Sequence, residues 1–423
     1  MKKFLCIILA IIVIVVPLSV NTYAYSFNLQ NRELNCKNAI VMDADSGRVI
    51  YSKNADAKVA MASLTKIMTA VIVLENCKNL NEKLTVTEND LEPIENQDLV
   101  VANLVAGEEI SVKDLLACLL IPSAADAAMV LASHFGTTVE KFVFMMNAKA
   151  KLLNLKNTHF TNPHGMDAEN HYSTARDMAV LTKYAHNVNG FSSLVSNYVY
   201  VVPQTNKSER RILKTTNFLI IPNNEFYYNY AKGTKTGYTD NAGRCLVTYA
   251  EKNNTRLICV VLGCDIYDEN WMLSTEYFAD TIYLLEKMFS LYSNKLIYKK
   301  SEVIKTIKAK SFGISGNTNA VTNENIYYIL SNNENVEKII TLKNEKIKGS
   351  VKKGEKLGKI TLKLNNKNIG EYNLVASDDV NFSFIRALFD ILFYIIIILI
   401  ILLIIMRIRV VIIKKKRKRK RQR

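Results

Sequence analysis

Ser63 and Lys66 stand three residues apart in the segment Ala62-Ser63-Leu64-Thr65-Lys66-Ile67-Met68. On a helix, positions i and i+3 face the same way, so the amine reaches the hydroxyl. A serine hydroxyl is a weak nucleophile at neutral pH and needs a base beside it. A lysine is such a base only when neutral, a form favoured by burial and by a second cation nearby. Lys235, in Lys235-Thr236-Gly237, is the candidate second cation. Ser123, in Ser123-Ala124-Ala125, adds another hydroxyl as a proton relay. Backbone N–H groups at the start of the Ser63 helix are available to a developing oxyanion. Nucleophile, base, relay and anion clamp are the parts of an acyl-transfer site that uses neither histidine nor metal.

Elements must bring these segments together. Met61–Glu75 has helical periodicity, with Ser63 in its first turn. Ser111-Val112-Lys113-Asp114 opens a second helix in the manner of a capping box, running to Leu120. Further amphipathic stretches cover 124–135, 139–153 and 175–187. Short strand-like runs at 39–44 and 48–52 flank the hairpin signal Asp45-Ser46-Gly47. Residues 198–202 and 211–213 read as extended, and 243–250 with 256–263 as a hairpin across Lys252-Asn253-Asn254. Trp271–Phe289 reads as a closing helix with Trp271 on its core face. Helices in the middle and strands at both ends predict an α/β domain over 25–290. Residues 296–380 hold short alternating runs broken by Gly and Asn, which predict a small all-β domain.

The two ends of the chain explain its charge. Lys2, Lys3, the apolar run 4–20 and Thr22-Tyr23-Ala24 read as a secretory signal over 1–24, with an uncleaved anchor as the alternative. Cys6 begins the apolar run rather than following it, which argues against a lipoprotein anchor. Ala387–Met406 is long and apolar enough to span a bilayer, with Asp390 near one end. Lys414–Arg421 is an unbroken run of eight cations, which predicts a cytoplasmic tail over 407–423 and an extracytoplasmic body. The tail carries eleven Lys/Arg and no acid, and Lys2 and Lys3 add two, so only +3 of the net +16 remains on the body. The basic balance is therefore no sign of a nucleic-acid partner; it fits stop-transfer and attraction to anionic lipid.

Six cysteines follow the leader, with no CxxC pair; Cys118 and Cys259 sit in apolar runs and read as core. Five histidines, including His159, His164 and His171, form no HExxH pattern and fit loop and packing roles, so no metal or cofactor is expected. A second Ser-x-x-Lys, Ser350–Lys353, lies in a Lys/Gly-rich turn with no apolar helix behind it.

The chain resembles the low-molecular-mass penicillin-binding D-alanyl-D-alanine carboxypeptidases. Four blocks carry the resemblance: Ala62–Ala70, Asn162-Pro163-His164-Gly165-Met166, His171–Asp177 and Gly233–Asp240. It covers about residues 36–290 closely, and 296–380 is similar to the family's second domain. The resemblance implies a penicillin-binding, β-lactamase-like α/β fold of helices on an antiparallel sheet. It implies an acyl-enzyme on Ser63, proton abstraction by Lys66 and relay by Ser123 to the leaving D-alanine. It implies that Lys235 binds the substrate carboxylate, assisted by Thr236, with the peptide along the edge at Gly237. The N–H groups of Ser63 and Tyr238 would form the oxyanion hole. The substrate would be the D-Ala-D-Ala end of a peptidoglycan stem peptide, and β-lactams would be inhibitors.

There is one departure from the pattern: the family's middle motif is Ser-x-Asn, and position 125 is alanine. Asp126 does not stand in for the Asn, because the family often has an Asp there as well. A non-catalytic or weakly active membrane-tethered wall-binding regulator is therefore the alternative reading. An endopeptidase that cuts cross-links is a third. A class A β-lactamase would need a deacylating Glu in an E-x-x-L-N loop, which Glu169-Asn170-His171-Tyr172 does not supply.

Overall fold

The computed structural model describes residues 32–95 and 97–420. The expected secretory signal over 1–24, with Cys6, lies outside the described residues. The chain divides into two compact units at Leu291/Tyr292.

The first unit is built on five antiparallel strands: β1 (Asn38–Asp43), β2 (Val49–Lys53), β3 (Ala231–Thr239), β4 (Gly243–Lys252) and β5 (Thr255–Cys264). Their order across the sheet is β2-β1-β5-β4-β3, so N- and C-terminal strands share one sheet. The β1–β2 turn closes on Asp43, whose carboxylate accepts the N–H and O–H of Ser46. The longer helices are α1 (Lys66–Asn76), α2 (Val112–Leu120), α3 (Ala125–Gly136), α4 (Val139–Leu152), α5 (Ala175–His186) and α6 (Glu276–Leu291). Side-chain caps set three of their starts: Ser111 accepts from Asp114 N, Thr138 from Lys141 N, and Thr174 from Asp177 N. Every residue of α1 from Lys66 to Val73 is buried. A helix covered all round is a core element, so the chemistry-bearing turn at its N-terminus is fixed by packing.

Trp271 departs from the expectation. It is 82% exposed, and α6 begins only at Glu276. The Asp268 side chain accepts the N–H groups of Asn270 and Met272, and Ser274 N bonds Ile266 O. These turns hold the segment out of the helix. The six cysteines of the described residues are free thiols, with Cys118 and Cys259 in the core.

The second unit is all β before its last helix. Its strands are β6 (Tyr292–Tyr298), β7 (Val303–Ser311), β8 (Ile314–Thr322), β9 (Ile326–Ser331), β10 (Glu337–Leu342), β11 (Lys346–Ile347), β12 (Lys356–Leu364) and β13 (Lys367–Ala376). Six of them form a sheet in the order β10-β12-β13-β8-β7-β11, and β6 pairs with β9. Ile307, Ala320, Ile360, Leu362 and Leu374 fill the core. The chain then runs into α7 (Phe384–Lys420). Its stretch Phe384–Lys418 is long and apolar enough to cross a membrane. Asp390 is partnered: its carboxylate accepts the N–H of Gly313.

Candidate active site

Ser63 lies in a 3-10 turn, Ala62–Thr65, that leads into α1. The expected i, i+3 pair forms, and Lys66 Nζ is 3.0 Å from Ser63 Oγ. Nζ also donates to the His164 carbonyl at 2.6 Å. Lys66 is 2% exposed. Burial, and next the charge of Lys235, hold its pKa well below the usual lysine range. The amine is thus biased toward the neutral form that a base requires.

The turn is held in place from below by the block Asn162–Met166. Asn162 closes this loop on itself, accepting from Gly165 N at 2.7 Å and donating to Met166 O at 2.9 Å. Thr69 Oγ1 donates to Pro163 O at 2.7 Å. His171, buried beside the turn, adds a hydrogen-bond chain. Thr161 N–H donates to its Nδ1 at 3.0 Å, so Nε2 carries the proton. Nε2 then donates to Thr65 Oγ1 at 2.8 Å, and Thr65 donates to Ala62 O at 2.9 Å. Burial pushes His171 down to about 4 and His164 to about 3, so both rings are neutral. These are positioning roles, which matches their reading as loop and packing residues.

A cleft of about 370 Å³ opens above the turn, lined by Ser63, Lys66, Ser123, Ala125, Thr236, Gly237 and Tyr238 among others. Ser123 has φ +76°, an uncommon conformation for a non-glycine residue, and its buried Oγ has no hydrogen-bond partner. Such a hydroxyl is free to exchange a proton with a ligand. Ala125 begins α3 and packs on Ile94 and Met129. Asp126 is fully engaged elsewhere, accepting from Ala102 N and Leu104 N, so it does not replace the missing amide.

β3 closes one wall. A Cβ at Gly237 would stand 3.2 Å from Met61 O and 3.3 Å from Ser63 N, so only a glycine lets the strand pass the nucleophile turn without displacement. Thr236 hydrogen-bonds Thr216, and Tyr238 OH donates to Asp240 at 2.6 Å. Lys235 is 1% exposed, and its Nζ donates to Thr236 O at 2.9 Å. Burial pushes its pKa down to about 7.

Sequence reasoning missed Arg244, which does line the cleft. A turn joins β3 and β4, with Thr239 paired to Gly243 and Tyr238 to Arg244. Counting that register outward from Gly243 would have found it.

Comparison with known proteins gives a consistent answer. The family model described as D-alanyl-D-alanine carboxypeptidase matches residues 25–265, and that of the penicillin-binding protein 5 C-terminal domain matches 292–381. The chain is 32% identical to D-alanyl-D-alanine carboxypeptidase DacF of Bacillus subtilis, covering 81% of this chain and 85% of that one. It is 32% identical to the D-alanyl-D-alanine endopeptidase of Escherichia coli, covering 58% and 77%. The crystal structure of penicillin binding protein 5 from Haemophilus influenzae superimposes with a TM-score of 0.66 at 25% identity, covering 83% and 99%. The match of fold and of both domains places the chain in the D-alanyl-D-alanine carboxypeptidase family.

Proposed function

We propose that this protein is a membrane-anchored serine D-Ala-D-Ala carboxypeptidase that trims the terminal D-alanine from peptidoglycan stem pentapeptides through an acyl-enzyme on Ser63. The observation that carries the reading is the buried amine of Lys66, 3.0 Å from the Ser63 hydroxyl and biased toward neutrality.

Ser63 Oγ attacks the carbonyl carbon of the penultimate residue while Lys66 Nζ takes its proton. Charge developing on the carbonyl oxygen is met by the N–H groups of Ser63 and Tyr238. Collapse of the adduct breaks the peptide bond, and the leaving nitrogen receives a proton through Ser123. Water then hydrolyses the ester, returning the proton to the site. The peptide lies along the β3 edge at Thr236, Gly237 and Tyr238 as an added strand. Lys235 shares a face of β3 with Gly237, the face packed on the Ser63 turn, and acts as the second cation that disfavours protonated Lys66. β-Lactams acylate the same serine.

Residues 1–24 serve as the export signal, in keeping with a family match that starts at residue 25. Residues 387–406 span the membrane, and the basic tail 407–423 stays in the cytoplasm by the positive-inside rule. The catalytic domain, 25–290, and the β domain, 296–380, then face outward.

The test uses the full chain in detergent micelles. It should release D-alanine from a stem pentapeptide and take up labelled penicillin at one site. Ser63→Ala should abolish both. Label that persists in Ser63→Ala would sink the assignment.

A further inference from the structure

We infer that Cys36 and Cys264 join in a disulfide that ties the segment before β1 to the end of β5. This rests on the export reading, which places the body where disulfide oxidants are met. β1 and β5 pair outward as far as Asn38 and Leu262. Beyond that point the two segments stay side by side. Asp265 N–H donates to Asn35 Oδ1 at 2.9 Å, and Asn35 Nδ2 donates to Asp265 Oδ2 at 2.8 Å. Cys36 and Cys264 stand between these two contacts, with their sulfurs and the Asp280 carboxylate within 4.8 Å of one another.

A disulfide bond is about 2.05 Å long, so closure asks for a movement of at most about 3 Å, which χ1 rotations supply. The backbone is already held for it: Lys53 Nζ donates to Cys36 O at 2.7 Å, and Cys36 N–H donates to Asp280 Oδ2 at 2.8 Å. Other arrangements fit less well. Cys259 faces Val41 across the same ladder, and Cys245 Sγ donates to Ala242 O. A metal ion would need Asp280 as its third ligand, yet one carboxylate oxygen accepts Arg32 Nε at 3.0 Å and the other accepts Cys36 N–H. Three ligands also fall short of the four that close a structural zinc site.

Cys264 borders a cleft of about 420 Å³ walled by Lys37, Asp240 and Trp271 among others, so it is the thiol an oxidant reaches. The oxidant is itself a disulfide, of a small thiol or of an oxidoreductase. The Cys264 thiolate attacks one of its sulfurs and breaks its S–S bond, giving a mixed disulfide and one free thiol. The Cys36 thiolate then displaces the second thiol. Two electrons and two protons pass from the pair to the oxidant, which ends as two thiols. Contact with the Cys36 thiol, and next burial, push the Cys264 thiol up, so the exchange is slow once the domain has folded. The bond closes a loop from residue 36 to residue 264, most of the first unit, and longer loops gain more from closure.

The full chain, exported by a host with a disulfide-forming periplasm, is purified in micelles without reductant. It is then unfolded in urea with a chelator and its thiols are labelled with a maleimide. Wild type should take up two labels fewer than after dithiothreitol, and a non-reduced digest should link the peptides of Cys36 and Cys264. Dithiothreitol should lower the melting temperature of wild type by about 4–16 °C and leave Cys36→Ser and Cys264→Ser unmoved. A link between other cysteines overturns the inference. So does a linked wild type whose melt ignores dithiothreitol, or zinc that co-purifies with wild type and is lost in both variants.

Equal label counts with and without dithiothreitol lead to one more step, incubation of the purified chain with oxidised glutathione for hours at about pH 9. Closure of this pair alone then supports the inference and refutes the export reading. Thiols that stay free even there overturn the inference.

Discussion

Gly165 passes beneath Ala62 so closely that a Cβ on it would stand 2.1 Å from the Ala62 carbonyl oxygen and 2.9 Å from Ser63 N. Both residues are in the left-handed region, Gly165 at φ +94° and Ala62 at φ +50°. The nucleophile turn is thus an uncommon conformation held by its neighbours, and such residues cost on the order of 1–3 kcal/mol each. Gly165→Ala adds a side chain where none fits and where φ disfavours one. It should slow penicillin acylation of Ser63 by about tenfold or more and lower stability by about 2–4 kcal/mol. Stopped-flow acylation and thermal melting read the two effects. Wild-type values for both would mean that the loop does not support the turn.

The Thr161–His171–Thr65–Ala62 chain makes a second prediction, about acid. His171 has its pKa lowered from 6.5 to about 4 by burial. For a base lowered in this way, the unfolded chain binds the proton more readily than the folded one. Stability is therefore full above the unfolded value and is lost as pH falls from about 6.5 toward 4, by at most about 1.4 kcal/mol per pH unit for one group. His164 and His186 are shifted in the same direction, so the losses compound. Urea melts from pH 7.5 down to 4.5 should show the decline. In His171→Gln the slope should be shallower by up to one proton. An unchanged slope would place the acid sensitivity elsewhere.

The parts of this site that were legible in the sequence are those made by local geometry. Ser63 and Lys66 meet because a helical turn brings i and i+3 together, and that holds although the first turn is 3-10 rather than α. Arg244 was hidden because its place depends on strand register. Trp271 was misread for a different reason. Trp271-Met272-Leu273 has the composition of a helix start, but Asp268 captures the N–H groups a helix would need. In the second unit Ile314–Thr322 is rich in Ser, Gly, Asn and Thr, and pairing with β7 and β13, not propensity, makes it β8.

The two lysines give a third prediction, about the pH dependence of acylation. As the proposed base, Lys66 would work only when neutral, so the acylation rate should rise with pH through its folded pKa, which lies well below 10.5. Burial is the larger cause of that shift, and the Lys235 charge is the next. Lys235→Gln removes the second cause and leaves the first. The rising limb should move to higher pH without returning to the ordinary lysine range. Penicillin acylation measured across pH 5 to 10 (a window of about five units around neutrality) reads the limb directly. A limb that stays in place would show that Lys235 does not act on the base.

Ala125 supports the last prediction, in which rate and stability move in opposite directions. Its side chain packs on Ile94 and Met129 while it also lines the cleft beside the unpartnered Ser123 hydroxyl. An asparagine here would bring an amide to the cleft but would take the same amide into an apolar contact. One new hydrogen bond favouring the transition state is worth about 1 kcal/mol, or roughly a threefold to tenfold gain in kcat/KM. Desolvating the rest of the amide should cost about 1–2 kcal/mol of stability. Ala125→Asn should therefore be a faster and less stable enzyme, as read by D-alanine release and urea melting. Release seen only in Ala125→Asn would instead make the natural protein a wall-binding regulator. A rate equal to wild type would mean that this site, built on Ser63, Lys66 and Ser123, does its chemistry without an amide at 125.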